Sequence, residues 1–273
     1  QDQLQRSLSE KLDVLFVTNH NTLDGFDQIT EYKNNHEKFS KLKIYPAIEI
    51  TTDKEAHVLV YGLNEEIKSN QTIDDILDAA KAQDAVTIAP HPFSLIDALR
   101  DDSLKCDLFE VFNSSNIDIY SNKKAEIFAQ EHNLLTIAGS DSHVASTVGR
   151  CTNLIDSENN LDDILYSMKK GKISIEKTEY VKRREVLEHL QYKIANSKEY
   201  IDQYVSEFYP RFSWLFNQLF KTYMYTKNSF VWDAFYRIAL FGLRRISYKI
   251  NFEGYDPYAF RSRDIPTITK MVF

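Results

Sequence analysis

Four segments of the chain each end an apolar run with a side chain able to hold a metal ion: FVTNHN with His20, YPAIEIT with Glu49, TIAPHPF with His91, and IAGSDSH with Asp141 and His143. His57 opens a further run, HVLVYG, eight residues after Glu49, so a short reversal between those two strands would return it to Glu49's side. Taken singly, a histidine after a strand is more often a hydrogen-bonded turn residue than a ligand, and a lone glutamate can simply face solvent. Repetition on successive strands is what argues for a shared site. His36, His132 and His189 lie in polar helical surroundings and read as solvated.

Imidazoles and carboxylates without thiolates favour borderline or hard divalent ions such as Zn, Mn or Fe, and do not discriminate among them. The chain shows no lysine nucleophile and no Gly-x-Ser-x-Gly elbow, so the chemistry suggested is a metal-activated hydroxide attacking an ester. A site with two or three ions suits a phosphoester in particular, because the incoming and the leaving oxygen can both be stabilised.

These residues need a scaffold that gathers strand ends. Over residues 12–175 short β-branched runs alternate with helical patterns: 13–18, 43–51, 57–63, 85–90, 107–112, 134–139 and 172–175 read as strands, and 73–82 and 120–132 as amphipathic helices. Alternation of this kind means a mainly parallel sheet. Several runs are continuously apolar, as strands covered on both faces should be, which suits a barrel or barrel-like closed sheet, with an open doubly wound sheet as the alternative. In both architectures side chains just past the strand C-termini converge on one face.

After about residue 180 strand signals vanish, and Leu187, Leu190, Ile194, Ile201, Tyr204 and Phe208 recur at helical steps. The expected division is an α/β domain over residues 1–178 and an all-helical extension over 179–273. Residues 208–248 hold 14 aromatics, and residues 211–249 carry seven Lys or Arg against the single Asp233. One expected helix, 211–225, has Phe212, Leu215, Phe216, Leu219 and Tyr223 on one stripe; another, 230–247, has Val231, Phe235, Ile238 and Gly242. Such stripes most often form core between packed helices. The functional alternatives are nucleic-acid contact by base stacking, a partner helix or homo-oligomer, or a membrane surface.

The 273 residues, 43% hydrophobic and 27% charged, suffice for one large domain with an appendage. A net charge of −7 advertises no global affinity for nucleic acid. Two distant cysteines, Cys106 and Cys151, in no metal-type spacing, suggest a reduced, cytoplasmic protein. No stretch approaches the ~20 apolar residues of a membrane span.

The motifs VTNHNTLDG, AIEIT followed by HVLVYG, APHPF, FEVFN and GSDSHVASTVGR, in this order, resemble those of the PHP (polymerase and histidinol phosphatase) superfamily, specifically its stand-alone metal-dependent phosphoesterases. The resemblance covers residues 12–175 and implies a distorted (β/α)7 barrel with a two- or three-metal site at its strand C-termini. It implies that Glu49 bridges two metals, that His57 and His91 complete one of them, that Asp141 binds the other, and that His20 and His143 share a third. Asn113 of FEVFN matches a position near the site. Arg150 could clamp a substrate phosphate, a surface salt bridge being nearly as good a reading. The substrates implied are nucleotides, oligonucleotides or small phosphorylated metabolites.

The chain departs from the pattern twice. Asn19 stands where the family usually has an acidic neighbour of His20. The family's first motif, Asp-Leu-His-x-His on strand one, is absent, and its histidines would be ligands of Asp141's metal. With Gln1 rather than Met at the start, the expectation is a missing N-terminal βα unit of about 25 to 35 residues, and weak or no activity in the chain as given. The reading from another class is a PHP-like module that has lost catalysis and uses its aromatic helices as an interface.

Overall fold

The computed structural model describes residues 1–226, 229–258 and 265–272, which divide into two compact units, 1–180 and 181–273. The first unit runs α1 (Asp2–Ser9), β1 (Val14–His20), α2 (Phe26–Asn34), β2 (Lys43–Thr51), β3 (His57–Tyr61), α3 (Ile73–Lys81), β4 (Val86–Ala89), β5 (Leu108–Asn113), α4 (Tyr120–His132), β6 (Thr136–Gly139), β7 (Cys151–Ile155), α5 (Leu161–Lys169) and β8 (Ile173–Thr178).

Strands β1 to β6 form one mixed sheet in sequential order, while β7 and β8 form a separate antiparallel pair. The pairs β1–β2, β4–β5 and β5–β6 are parallel, as their helical or long connections require. β3 is antiparallel to both neighbours and follows β2 by a short reversal. The sheet curls, so that residues of both its edge strands, β1 and β6, line one cavity of about 590 Å³ together with β7. Asn153 ties β7 to β6 by acting as a surrogate strand: its Oδ1 accepts from Ala138 N (3.0 Å) and its Nδ2 donates to Ala138 O (2.8 Å).

Helices pack on the outer face because their apolar residues recur at three- and four-residue steps. Ile73, Ile76 and Ala80 of α3 are buried against Ile48, Val58 and Val60. Thr72 starts that helix by accepting from Asp75 N, a side-chain cap that satisfies one of the first-turn amides. The concave face is filled by Leu59, Val86, Ile88, Leu108 and Ile137, onto which Ile164, Leu165 and Met168 of α5 close. All seven expected strands are present, and β7 is additional. Its sequence, CTNLI, is interrupted by the polar Thr152 and Asn153 and gives no clean alternation.

The second unit comprises α6 (Arg183–Asn196), α7 (Lys198–Phe208), α8 (Ser213–Thr226), α9 (Phe230–Phe252) and α10 (Ile265–Val272). Val205, Tyr223, Ile246, Ile250 and Met271 are its buried apolar residues among those described. The expected inward stripes are corrected here. Tyr223 of α8 is buried but Leu215 and, just before the helix, Phe212 are exposed, and on α9 Val231, Phe235 and Ile238 are exposed while the buried residues lie toward its C-terminal end. No described helix is long and apolar enough to cross a membrane.

Candidate metal centre

Register places the candidate ligands. His20 and Glu49 close the β1–β2 pairing as direct partners, and both lie at the C-terminal ends of parallel strands. Thr51 pairs with His57 and Glu49 with Leu59, which sets His57 diagonally next to Glu49 on the same face. His91 follows β4, and Asp141 and His143 follow β6. Both His91 (φ +31°) and Asp141 (φ +45°) sit in the left-handed region, a conformation residues other than glycine adopt mainly where the surroundings impose it.

Glu49 is the centre of the cluster. Its Oε1 lies 2.9 Å from His57 Nδ1 and 3.2 Å from His91 Nε2, while its Oε2 faces His20 Nε2 at 3.6 Å. The rings of His20 and His57 are 5.1 Å apart, and those of His57 and His91 are 5.5 Å apart. Ligand atoms of His20, Glu49 and His57 all fall within 4.8 Å of one another. His143 stands 6.3 Å from His20, ring to ring, with its Nδ1 3.4 Å from Asp141 Oδ1.

Burial alone would raise the Glu49 carboxyl, but the imidazoles of His57 and His91 outweigh it and hold Glu49 well below the usual carboxylate range. Burial works against a charge on His91 too, yet the hydrogen bond and charge of Glu49, with Asp141 and Glu110 behind it, push His91 up to about 9.

The donors fit a divalent cation. His57 Nδ1 is buried and, although close to Glu49, has no aligned hydrogen-bond partner. A buried ring nitrogen in that condition is costly unless something else takes its lone pair or proton. Imidazoles around a carboxylate are a donor set for Zn, Mn or Fe.

Other expected residues have different surroundings. Arg150 is buried, its Nη1 pairs with Glu179, and it is not among the residues that line the cavity. Asn19 Nδ2 donates to the Asp24 carbonyl (2.5 Å) within its own loop. Asn113 is buried and donates to Glu110 Oε2 (2.9 Å). His36 stacks on Tyr32, and the His132 ring lies tilted against Phe128.

Glu110 is the residue that sequence reasoning missed. Its Oε2 also accepts the backbone N–H of His91 at 2.6 Å, and Gly139 leaves it room: a Cβ there would lie 1.7 Å from Oε1. Burial pushes its carboxyl up to about 7 against the opposing pull of His91. The signal was present, since a glutamate inside the apolar run DLFEVF must find partners if the strand is covered on both faces.

The fold and site together define a mixed α/β unit, a curled sheet with a carboxylate–imidazole cluster at its strand ends. The family model described as PHP-associated matches residues 120–173. Two uncharacterised proteins of Methanocaldococcus jannaschii are similar, one 32% identical over 126 residues (42% of this chain, 53% of the relative) and the other 33% identical over 110 residues (39% and 61%). The chain thus spans between half and two thirds of the length of these curated relatives. Among solved structures, PsfC from Pseudomonas syringae PB-5123 shares the fold with a TM-score of 0.52 and 18% identity, over 71% of this chain and 88% of that one. The match of residues 120–173 to the PHP-associated model supports the resemblance to the PHP superfamily.

Proposed function

We propose that the first unit is the catalytic part of a metal-dependent phosphoesterase. One observation carries the reading: the buried Glu49 divides its two oxygens, Oε1 toward His57 and His91 and Oε2 toward His20. That division is what a carboxylate shared between two cations requires, and the imidazoles of His57 and His91 keep it ionised against its burial. The residues that would hold the ions are His20, Glu49, His57, His91, Asp141 and His143. Bound ions would supply Lewis acidity and a nucleophile at neutral pH.

The chain's own residues supply placement. Glu110 and Asn113 hold the His91 backbone in its left-handed turn, and the β2–β3 reversal delivers His57 beside Glu49. Asp141 lines the cavity between the edge strands, and the same reading gives the unit a (β/α)7-type barrel. Substrates are phosphomonoesters or phosphodiesters of nucleotides, oligonucleotides or small metabolites.

The test is titration of the purified chain with Mn²⁺ or Zn²⁺, with elemental analysis to count bound ions, alongside hydrolysis of a chromogenic phosphomonoester and phosphodiester. The expected result is metal binding abolished by Glu49→Gln and any hydrolysis lost with it. Binding that survives Glu49→Gln unchanged would refute the assignment. Metal binding by Glu49 without hydrolysis of either ester would favour the module that has lost catalysis.

A further inference from the structure

We propose that helix α9 docks the protein on an anionic lipid surface. The argument starts from position on the helix. At 3.6 residues per turn, Phe230, Phe241, Ala234, Ile238, Val231 and Phe235 fall within a sector of roughly 140°. The structure leaves that sector open: Phe230 is 83% exposed, Ile238 69%, Phe241 60% and Phe235 51%. Ile246 and Ile250, on the C-terminal turns of the helix, are buried, so that end is held while the apolar sector of the preceding turns is exposed.

Charge selects the occupant. Residues 181–273 carry 15 Lys or Arg against nine Asp or Glu, in a chain whose overall charge is −7. Arg237 and Arg244 fall along one border of the apolar sector and Arg245 falls within it, all three exposed. The only acidic residue of α9, Asp233, lies outside the sector and pairs with Arg183. A second copy of this face would bring arginines against arginines with no carboxylate between them, which disfavours self-association. Apolar side chains with arginines at and within their border, able to reach upward to phosphate while their stems stay in the apolar layer, suit a helix lying in a membrane interface. Exposed Trp214 and Tyr225 on α8 add aromatic side chains of the type found at that depth.

The experiment is co-sedimentation of the full chain with vesicles of phosphatidylcholine, alone and with phosphatidylserine added. Binding is expected only to the anionic vesicles, weakening as salt is raised. Arg237→Gln and Arg245→Gln should each lower vesicle affinity roughly fivefold. Ile238→Asp with Phe241→Asp should abolish it; both side chains are exposed, so circular dichroism and sedimentation velocity should match the wild type. Absence of binding to anionic vesicles, or binding unaffected by the double variant, would overturn the proposal. So would an oligomer dissociated by that variant, or retention of a labelled single-stranded RNA that depends on Phe241 in place of vesicle binding.

Discussion

The carboxylate of Glu110 accepts the backbone N–H of His91 at 2.6 Å, fixing a histidine whose φ of +31° few residues adopt without support. This contact links β5 to the loop after β4 and thereby to Glu49, whose Oε1 is 3.2 Å from His91 Nε2. The position of a candidate ligand thus depends on an acid that need not touch a cation.

Glu110→Ala should weaken Mn²⁺ binding about 10- to 100-fold, the usual effect of removing a group that orients a ligand. Glu110→Gln should remain near wild type, because one carbonyl oxygen can still accept from both His91 N and Asn113 Nδ2. Calorimetric titration of both variants checks this; equal losses would mean that the charge of Glu110, and not its hydrogen bonds, matters.

Gly139→Ala should destabilise the protein by about 1–3 kcal/mol, since the new methyl must displace Glu110 Oε1 from a well-packed strand. Placed on Glu110→Ala, the same change should cost much less. A double-mutant cycle from urea denaturation should therefore show coupling between the two sites, and additive effects would contradict the geometry.

Metal should stabilise the fold through mass action by about 2.7 kcal/mol at a free concentration of 100 times Kd, and so raise the melting temperature. Chelation should reverse the gain. Glu49→Gln should remove it in either condition, which differential scanning fluorimetry with and without EDTA would read.

Glu10 and Lys177 pair at 2.9 Å, and that hydrogen bond, opposed by burial and helped by the charge of Arg6, lowers the Glu10 carboxyl from its ordinary value of 4.5. A depressed acid stabilises the fold above its unfolded value and loses that contribution as pH falls through its folded value. Glu10→Gln should thus cost up to about 1 kcal/mol at neutral pH, and the two proteins should converge in stability well below pH 4.5. A gap that persists in acid would mean that packing against Gly149 is the main role of Glu10.

Much of the architecture was legible along the chain, because burial on one or both faces leaves a local periodic record. Runs such as HVLVYG and AVTIAP, and the stripe of Ile73, Ile76 and Ala80, name their own secondary structure. β7 was not legible, since its link to the sheet runs through the Asn153 side chain and not through an apolar pattern. Nor was the outward turn of α9: a helical stripe records which residues share a face, and says nothing about whether another element covers that face.

The sequence by itself determined the donors: which strand ends carry imidazole or carboxylate, in what order, and without thiolate. Only the tertiary structure decided their grouping. The β1–β2 and β2–β3 registers set His20 and His57 on either side of Glu49, and long-range contacts between β5, the loop after β4 and β6 gave Glu110 its role. The physical reason is that periodicity is a property of neighbours in the chain, whereas convergence at a site depends on pairing between segments tens of residues apart.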